Sequence, residues 1–114
     1  MAKVLSIAEM ADQMIRELKD TQPIIEREIG CSFQTSSRLI VARENIALHR
    51  HADADEMLYI LAGEATLSMG DKDQVVGAGW VGLAPRGTTH SFTRRGRTPI
   101  AILSVRSGEA CSGT

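Results

Sequence analysis

The chain has no long apolar run. Nothing in its 114 residues approaches the roughly 20 that a helix needs to cross a bilayer. Its start, Met1-Ala2-Lys3-Val4-Leu5, carries no hydrophobic region of the signal-peptide kind, so the expected location is the cytoplasm. Cysteine is down to Cys31 and Cys111, far apart. That is no disulfide scaffold, and two reduced thiols are expected, with Cys31 a small core residue and Cys111 incidental. Neither sign of charge dominates: 13 Lys and Arg face 14 Asp and Glu, a net charge of −1. A general role on nucleic acid or on a membrane surface is therefore not expected. There is no internal repeat and no low-complexity stretch. The length suits one domain and leaves no room for a second.

What the chain does contain is one helical segment followed by many short strands. Ser6-Ile7-Ala8-Glu9 has the form of a capping box, and Ile7, Met10, Met14 and Leu18 follow helical spacing. This predicts one amphipathic helix over about residues 7–19, ended before Pro23. From residue 24 onward, β-branched and apolar runs alternate with Gly, Asn, Asp and Pro turns. Candidate strands are 24–29, 37–42, 46–51, 57–61, 65–69, 74–76, 80–84, 90–93 and 100–105. Such spacing indicates an all-β antiparallel sandwich or barrel. The expected organisation is a helix and linker over 1–23, the β domain over 24–106 and a flexible tail over 107–114.

The three histidines, His49, His51 and His90, carry the chemistry. Imidazole is the commonest protein metal ligand, and an imidazole–carboxylate cluster suits a divalent transition metal. Residues i and i+2 of a strand share a face, so His49 and His51 could hold one ion while Arg50 points away. Glu56 opens the next strand, and a hairpin would return it beside the pair. His90 has to arrive from a distant strand.

At these residues the chain resembles the cupins. His49, His51, Glu56 and Gly63 match the first cupin motif, G-x5-H-x-H-x3,4-E-x6-G, in identity and spacing. Gly79, Pro85, Gly87 and His90 match the second, G-x5-P-x-G-x2-H-x3-N. Arg43 stands where the first motif opens with Gly, and Arg94 where the second closes with Asn. The first departure suggests a different turn, with Asn45 in the left-handed conformation. The resemblance covers roughly residues 37–105. It implies a jelly-roll barrel, a double-stranded β-helix, preceded by the short N-terminal helix. It also implies His49, His51, Glu56 and His90 as ligands of one divalent transition metal per chain. Fe(II) is favoured, with Mn, Ni, Zn or Cu as alternatives, and a homodimer joined through its sheets is expected.

The reaction is less determined. A reduced ion with open positions suits an oxygen-using enzyme, and dioxygenase-like chemistry on a metabolite-sized substrate is the first expectation. A redox-neutral isomerase, lyase or cyclase is the second, and a non-enzymatic small-molecule binding module the third. Every histidine is used as a ligand, so proton transfer falls to Glu56, bound water or the substrate. Arg38, Arg43, Arg86, Arg94, Arg95 and Arg97 could include a clamp for a substrate anion, although solvated surface is the ordinary reading of each. Arg38 reaches the pocket if its strand twists or bulges. Phe92 shares a face with His90 and is placed to line the pocket. Met57, Tyr59 and Leu61 form an apolar stripe on the opposite face, for a partner or the helix to cover.

Overall fold

The computed structural model of the protein describes residues 3–108. Helix α1 (Ile7–Glu17) precedes nine strands: β1 (Ile24–Cys31), β2 (Thr35–Ala42), β3 (Ile46–His49), β4 (Asp55–Ala62), β5 (Glu64–Met69), β6 (Lys72–Val76), β7 (Val81–Ala84), β8 (His90–Arg95) and β9 (Ile100–Ser107). Every strand pairing is antiparallel, in two sheets ordered β1-β2-β9-β4-β7 and β3-β8-β5-β6. The chain passes repeatedly from one sheet to the other, and the two inner faces enclose the core. This is the all-β jelly roll, a double-stranded β-helix with one short helix in front. Among the described residues, no helix is long and apolar enough to cross a membrane.

The helix begins where its cap predicts. Ser6 is extended, and its hydroxyl oxygen accepts the Glu9 backbone N–H at 3.2 Å. It ends two residues earlier than the periodicity suggests. Leu18 takes an extended conformation (φ −62°, ψ 139°), and Lys19 and Gln22 pair across a tight turn. Leu18 is thereby buried in the core instead of lengthening the helix.

Register decides which residues face inward. Opposed residues of neighbouring strands point to the same side of a sheet. Leu58 and Ile60 of β4 lie opposite Ser104 and Ile102 of β9, which lie opposite Arg38 and Ile40 of β2. These form the inner wall. Leu58, Ile60, Ile100 and Ile102 pack there against Ala65, Leu67, Val76 and Phe92 of the second sheet. Each fully buried large aliphatic contributes about 1.5–3 kcal/mol relative to exposure. The odd-numbered residues of β2, β4 and β9 face outward. Over β1 and β2, α1 covers this outer face: Ala11, Met14 and Leu18 pack on Ile25, Leu39, Val41 and Ala101, with Leu61 at the margin. Over β4 and β7 the outer face is open, and Val81 and Leu83 are exposed.

Several strands run one or two residues past their apolar stretch, because the ladder continues through polar positions such as Thr35, Arg94 and Ser107. Strand β3 instead stops at His49, so His51 lies beyond the strand. Nor do β3 and β4 form a hairpin, since they belong to different sheets. Ser107 is still paired within β9, and Gly108 donates its N–H to Gln34 O at 2.6 Å. The remainder of the expected tail, 109–114, lies outside the described residues. Cys31 is disulfide-bonded, which corrects the expectation of a reduced thiol. It ends the edge strand β1 and is only half-buried, so its sulfur is not sealed in the core. Cys111 lies outside the described residues.

Candidate metal centre

The four expected ligands converge. One donor atom from each of His49, His51, Glu56 and His90 lies within 4.8 Å of the other three. They arrive by three routes. His49 of β3 and His90 of β8 are opposed across a strand pair, with ring centroids 4.1 Å apart. The register between β3 and β8 shifts before His49. His51 follows from the loop after β3, its ring centroid 5.3 Å from that of His49. Glu56 projects from β4 across the gap between the sheets. The shared-face and hairpin arguments therefore both fail in detail, while the residues still meet.

The loops are pinned to one another. The Gly87 N–H donates to His51 O at 2.8 Å, and the Thr88 N–H closes the turn onto Pro85 O at 3.0 Å. Gly87 has φ +86°, the conformation that the third position of a type II turn requires and glycine supplies. Arg86 donates its backbone N–H (2.9 Å) and its Nε (3.3 Å) to Asp55 Oδ1. That backbone bond, joined by the guanidinium, holds the Asp55 carboxyl below its usual range. The turn preceding His90 is thus tied both to the His51 loop and to the start of the Glu56 strand.

The imidazoles are set for ligation through Nε2. His49 Nδ1 lies 2.9 Å from Ala47 O, and His90 Nδ1 lies 3.0 Å from Thr88 O. A carbonyl can only accept, so both rings carry the proton on Nδ1 and turn Nε2 to the cluster. His51 Nε2 is a buried nitrogen with no hydrogen-bond partner, although Glu56 Oε1 stands 3.2 Å away. Burial, aided by the charge of Arg106, lowers the His51 pKa and favours the neutral ring, the ligand form. An orphaned inward nitrogen, two rings anchored through Nδ1 and a carboxylate form a donor set that fits a divalent transition metal.

Glu56 and His90 are the buried half of this set. Glu56 Oε1 lies 2.7 Å from His90 Nε2. Glu56 Oε2 faces the other way, accepting the Ser104 hydroxyl and, at 3.2 Å, Arg106 Nε–H. Burial opposes ionisation of Glu56, but the bonds from His90 and Ser104 and the charges of Arg106 and His51 outweigh it. The carboxyl is lowered to about 2. For His90, burial is likewise outweighed by its bonds to Glu56 and to Thr88 O, and its pKa is raised.

The other expected site residues, Arg38 and Phe92, are both buried within the barrel. Arg38 is buried on the inner wall, donating to Ser36 Oγ at 2.6 Å and to Glu26 Oε1 at 3.1 Å. Phe92 is 2% exposed and packs in the inner core beyond His90. A cavity of about 380 Å³ opens beside His51, lined by Arg50, Asp53, Ala54 and Gly108. The two departures from the motifs meet at the barrel's other end, where Arg94 donates to Arg43 O and Gly96 O. Asn45 accepts the Arg94 backbone N–H at 2.8 Å through its side chain. It is not left-handed, since no non-glycine residue among those described has positive φ. Ser104 and Arg106 were not anticipated as partners of Glu56. Their signal was parity: they continue the inward positions of Ile100 and Ile102 with polar side chains.

Barrel, motifs and cluster together define a small β-barrel of the cupin class, with a His-His-Glu-His set that could hold a metal ion. The chain belongs to the Cupin domain family, which matches residues 39–106. It is 34% identical over 61 residues to an oxalate-binding protein of Thermotoga maritima, covering 54% of this chain and 50% of that one. It is 24% identical to mannose-1-phosphate guanylyltransferase 2 of Escherichia coli O157:H7, covering 85% of this chain and 23% of that protein. The chain thus spans half or less of these curated relatives. Among solved structures, it resembles an uncharacterised Klebsiella pneumoniae protein with a double-stranded β-helix domain, at TM-score 0.78 and 20% identity, covering 97% of this chain and 95% of that one.

Proposed function

We propose that the protein is a metal-dependent enzyme acting on a metabolite-sized organic substrate, with Fe(II) and dioxygenase-like chemistry as the leading assignment. The observation that supports this is the convergence of four donors, with the imidazole Nε2 atoms turned inward. His49, His51, His90 and Glu56 would hold the ion. When bound, it supplies a Lewis-acidic centre with positions left for substrate and, as reduced iron, for oxygen. The chain's own contribution is orientation. Carbonyl anchors fix two rings, and Glu56 keeps its charge in a buried setting. Proton acceptance at Glu56 Oε2 would have to displace the Ser104 or Arg106 bond, so Glu56 serves as a ligand before it serves as a base. The cavity of about 380 Å³ adjoins His51, whose side chain is 20% exposed, and offers a small molecule a place next to the cluster.

A relative is named for binding oxalate. Small carboxylates are therefore the first substrates to try. The relative's name also favours a second reading, a binding module without turnover. The test is anaerobic reconstitution with Fe(II), followed by oxygen uptake across a panel of small organic acids. Substrate-dependent uptake, lost in His49→Ala, is expected. Substrate conversion without uptake would replace the oxygenase assignment with a redox-neutral one, and tight binding without turnover would leave the binding module. Undiminished turnover by chelator-treated protein would sink the metal reading. We also infer that the chain pairs with a second copy through the open half of the outer face.

A further inference from the structure

We propose that Arg106, acting with Ser104, is a positioning residue that makes Glu56 a one-oxygen ligand. The inference rests on the metal reading above and extends it to residues outside the ligand set. Glu56 Oε1 lies among the imidazoles, 2.7 Å from His90 Nε2 and 3.2 Å from His51 Nε2. Glu56 Oε2 is turned away and held by two donors, the Ser104 hydroxyl and Arg106 Nε–H. The hold is built into the sheet. Arg106 is the register partner of Glu56 across the β4–β9 ladder, and Ser104 lies two residues along the same inward face. The Arg106 side chain is 13% exposed, so the contact is not a mobile surface pair.

A carboxylate can offer a metal one oxygen or both. Two donors on Oε2, one of them a guanidinium N–H, remove that oxygen from competition. The ion would then receive one oxygen and three nitrogens, which keeps positions open for exogenous ligands. Without the two donors, the carboxylate can rotate and occupy one of those positions. Outer partners of this kind commonly govern affinity as well, since their loss costs about 10- to 100-fold in metal binding.

The probe is Co(II), whose visible absorption weakens as coordination number rises. The full-length protein is compared with Ser104→Ala, Arg106→Gln and the double variant, each checked for fold by circular dichroism. The double variant should bind Co(II) about tenfold or more weakly and show weaker visible absorption. Arg106→Gln keeps an N–H donor and should fall between it and the parent. Ser104→Ala, the mildest change, carries the test if the double variant does not fold. Parent-like spectra and affinity in the folded variants would overturn the assignment while leaving the metal site standing. Failure of the parent protein to bind Co(II) would overturn the metal reading and this inference with it.

Discussion

Glu56 divides its two oxygens between two tasks. Oε1 belongs to the cluster of imidazoles, and Oε2 belongs to the wall. That division has a consequence in the metal-free protein. The Glu56 carboxyl is lowered from 4.5 to about 2 in the folded chain. A depressed carboxyl stabilises the fold above its unfolded value, and the contribution is lost as pH falls through the folded value. Metal-free protein should therefore lose up to about 3 kcal/mol of stability between pH 4.5 and 2 on this account. Urea midpoints measured across that window should show the parent converging on Glu56→Gln. A constant gap between the two would refute the assignment. His90 works with the opposite sign: its pKa is raised, so its contribution is full below about 6.5 and fades as pH rises. The four expected ligands were legible through the resemblance to the two cupin motifs, each of which is local in the chain. Ser104 and Arg106 were not, because they reach Glu56 only through a strand pairing 48 and 50 residues distant.

The strands show where local patterning stops. Nine strands and one helix follow from alternation, capping and turn residues, and all appear near their expected places. What patterning leaves open is the sheet to which each strand belongs. β3 and β4 are neighbours in sequence and lie in opposite sheets. The four clustered residues therefore face each other across the barrel instead of along a hairpin. The outer face is divided in the same way. Helix α1 covers the half over β1 and β2, with Met14 fully buried beneath it. Over β4 and β7, Met57 lies opposite Leu83 and Tyr59 opposite Val81, and both β7 residues are at least half exposed. An apolar groove of about 410 Å³ runs there between Met57, Leu83, Pro85 and Val105. The face is uncharged at its centre and carries Asp55 and Arg86 at its margin, so a two-fold arrangement would match apolar to apolar. Sedimentation equilibrium should give the mass of two chains for the parent and of one chain for Leu83→Glu. A monomeric parent, or a dimeric variant, would reject this face as the interface.

The whole molecule is two sheets joined at one end by the ligand cluster. His49 and His90 belong to one sheet, Glu56 to the other, and His51 to the loop between them. An ion held by all four would tie the sheets together, and it would bind the folded chain only, because the unfolded chain scatters these residues over 42 positions of sequence. Stability should then track the logarithm of free metal. At 100 times the dissociation constant the gain is about 2.7 kcal/mol, and each further tenfold adds about 1.4. For a domain of this size the first step is worth about 10 °C in Tm. Thermal scans should show a chelator lowering Tm and added metal raising it in even steps. The ligand variants separate a bridging ion from an incidental one. Glu56→Gln weakens the link to the second sheet while sparing the three imidazoles, so it should keep some metal and lose most of the gain in Tm. His49→Ala should lose both. If Glu56→Gln kept the full metal-dependent rise, the ion would be held within one sheet and its loop.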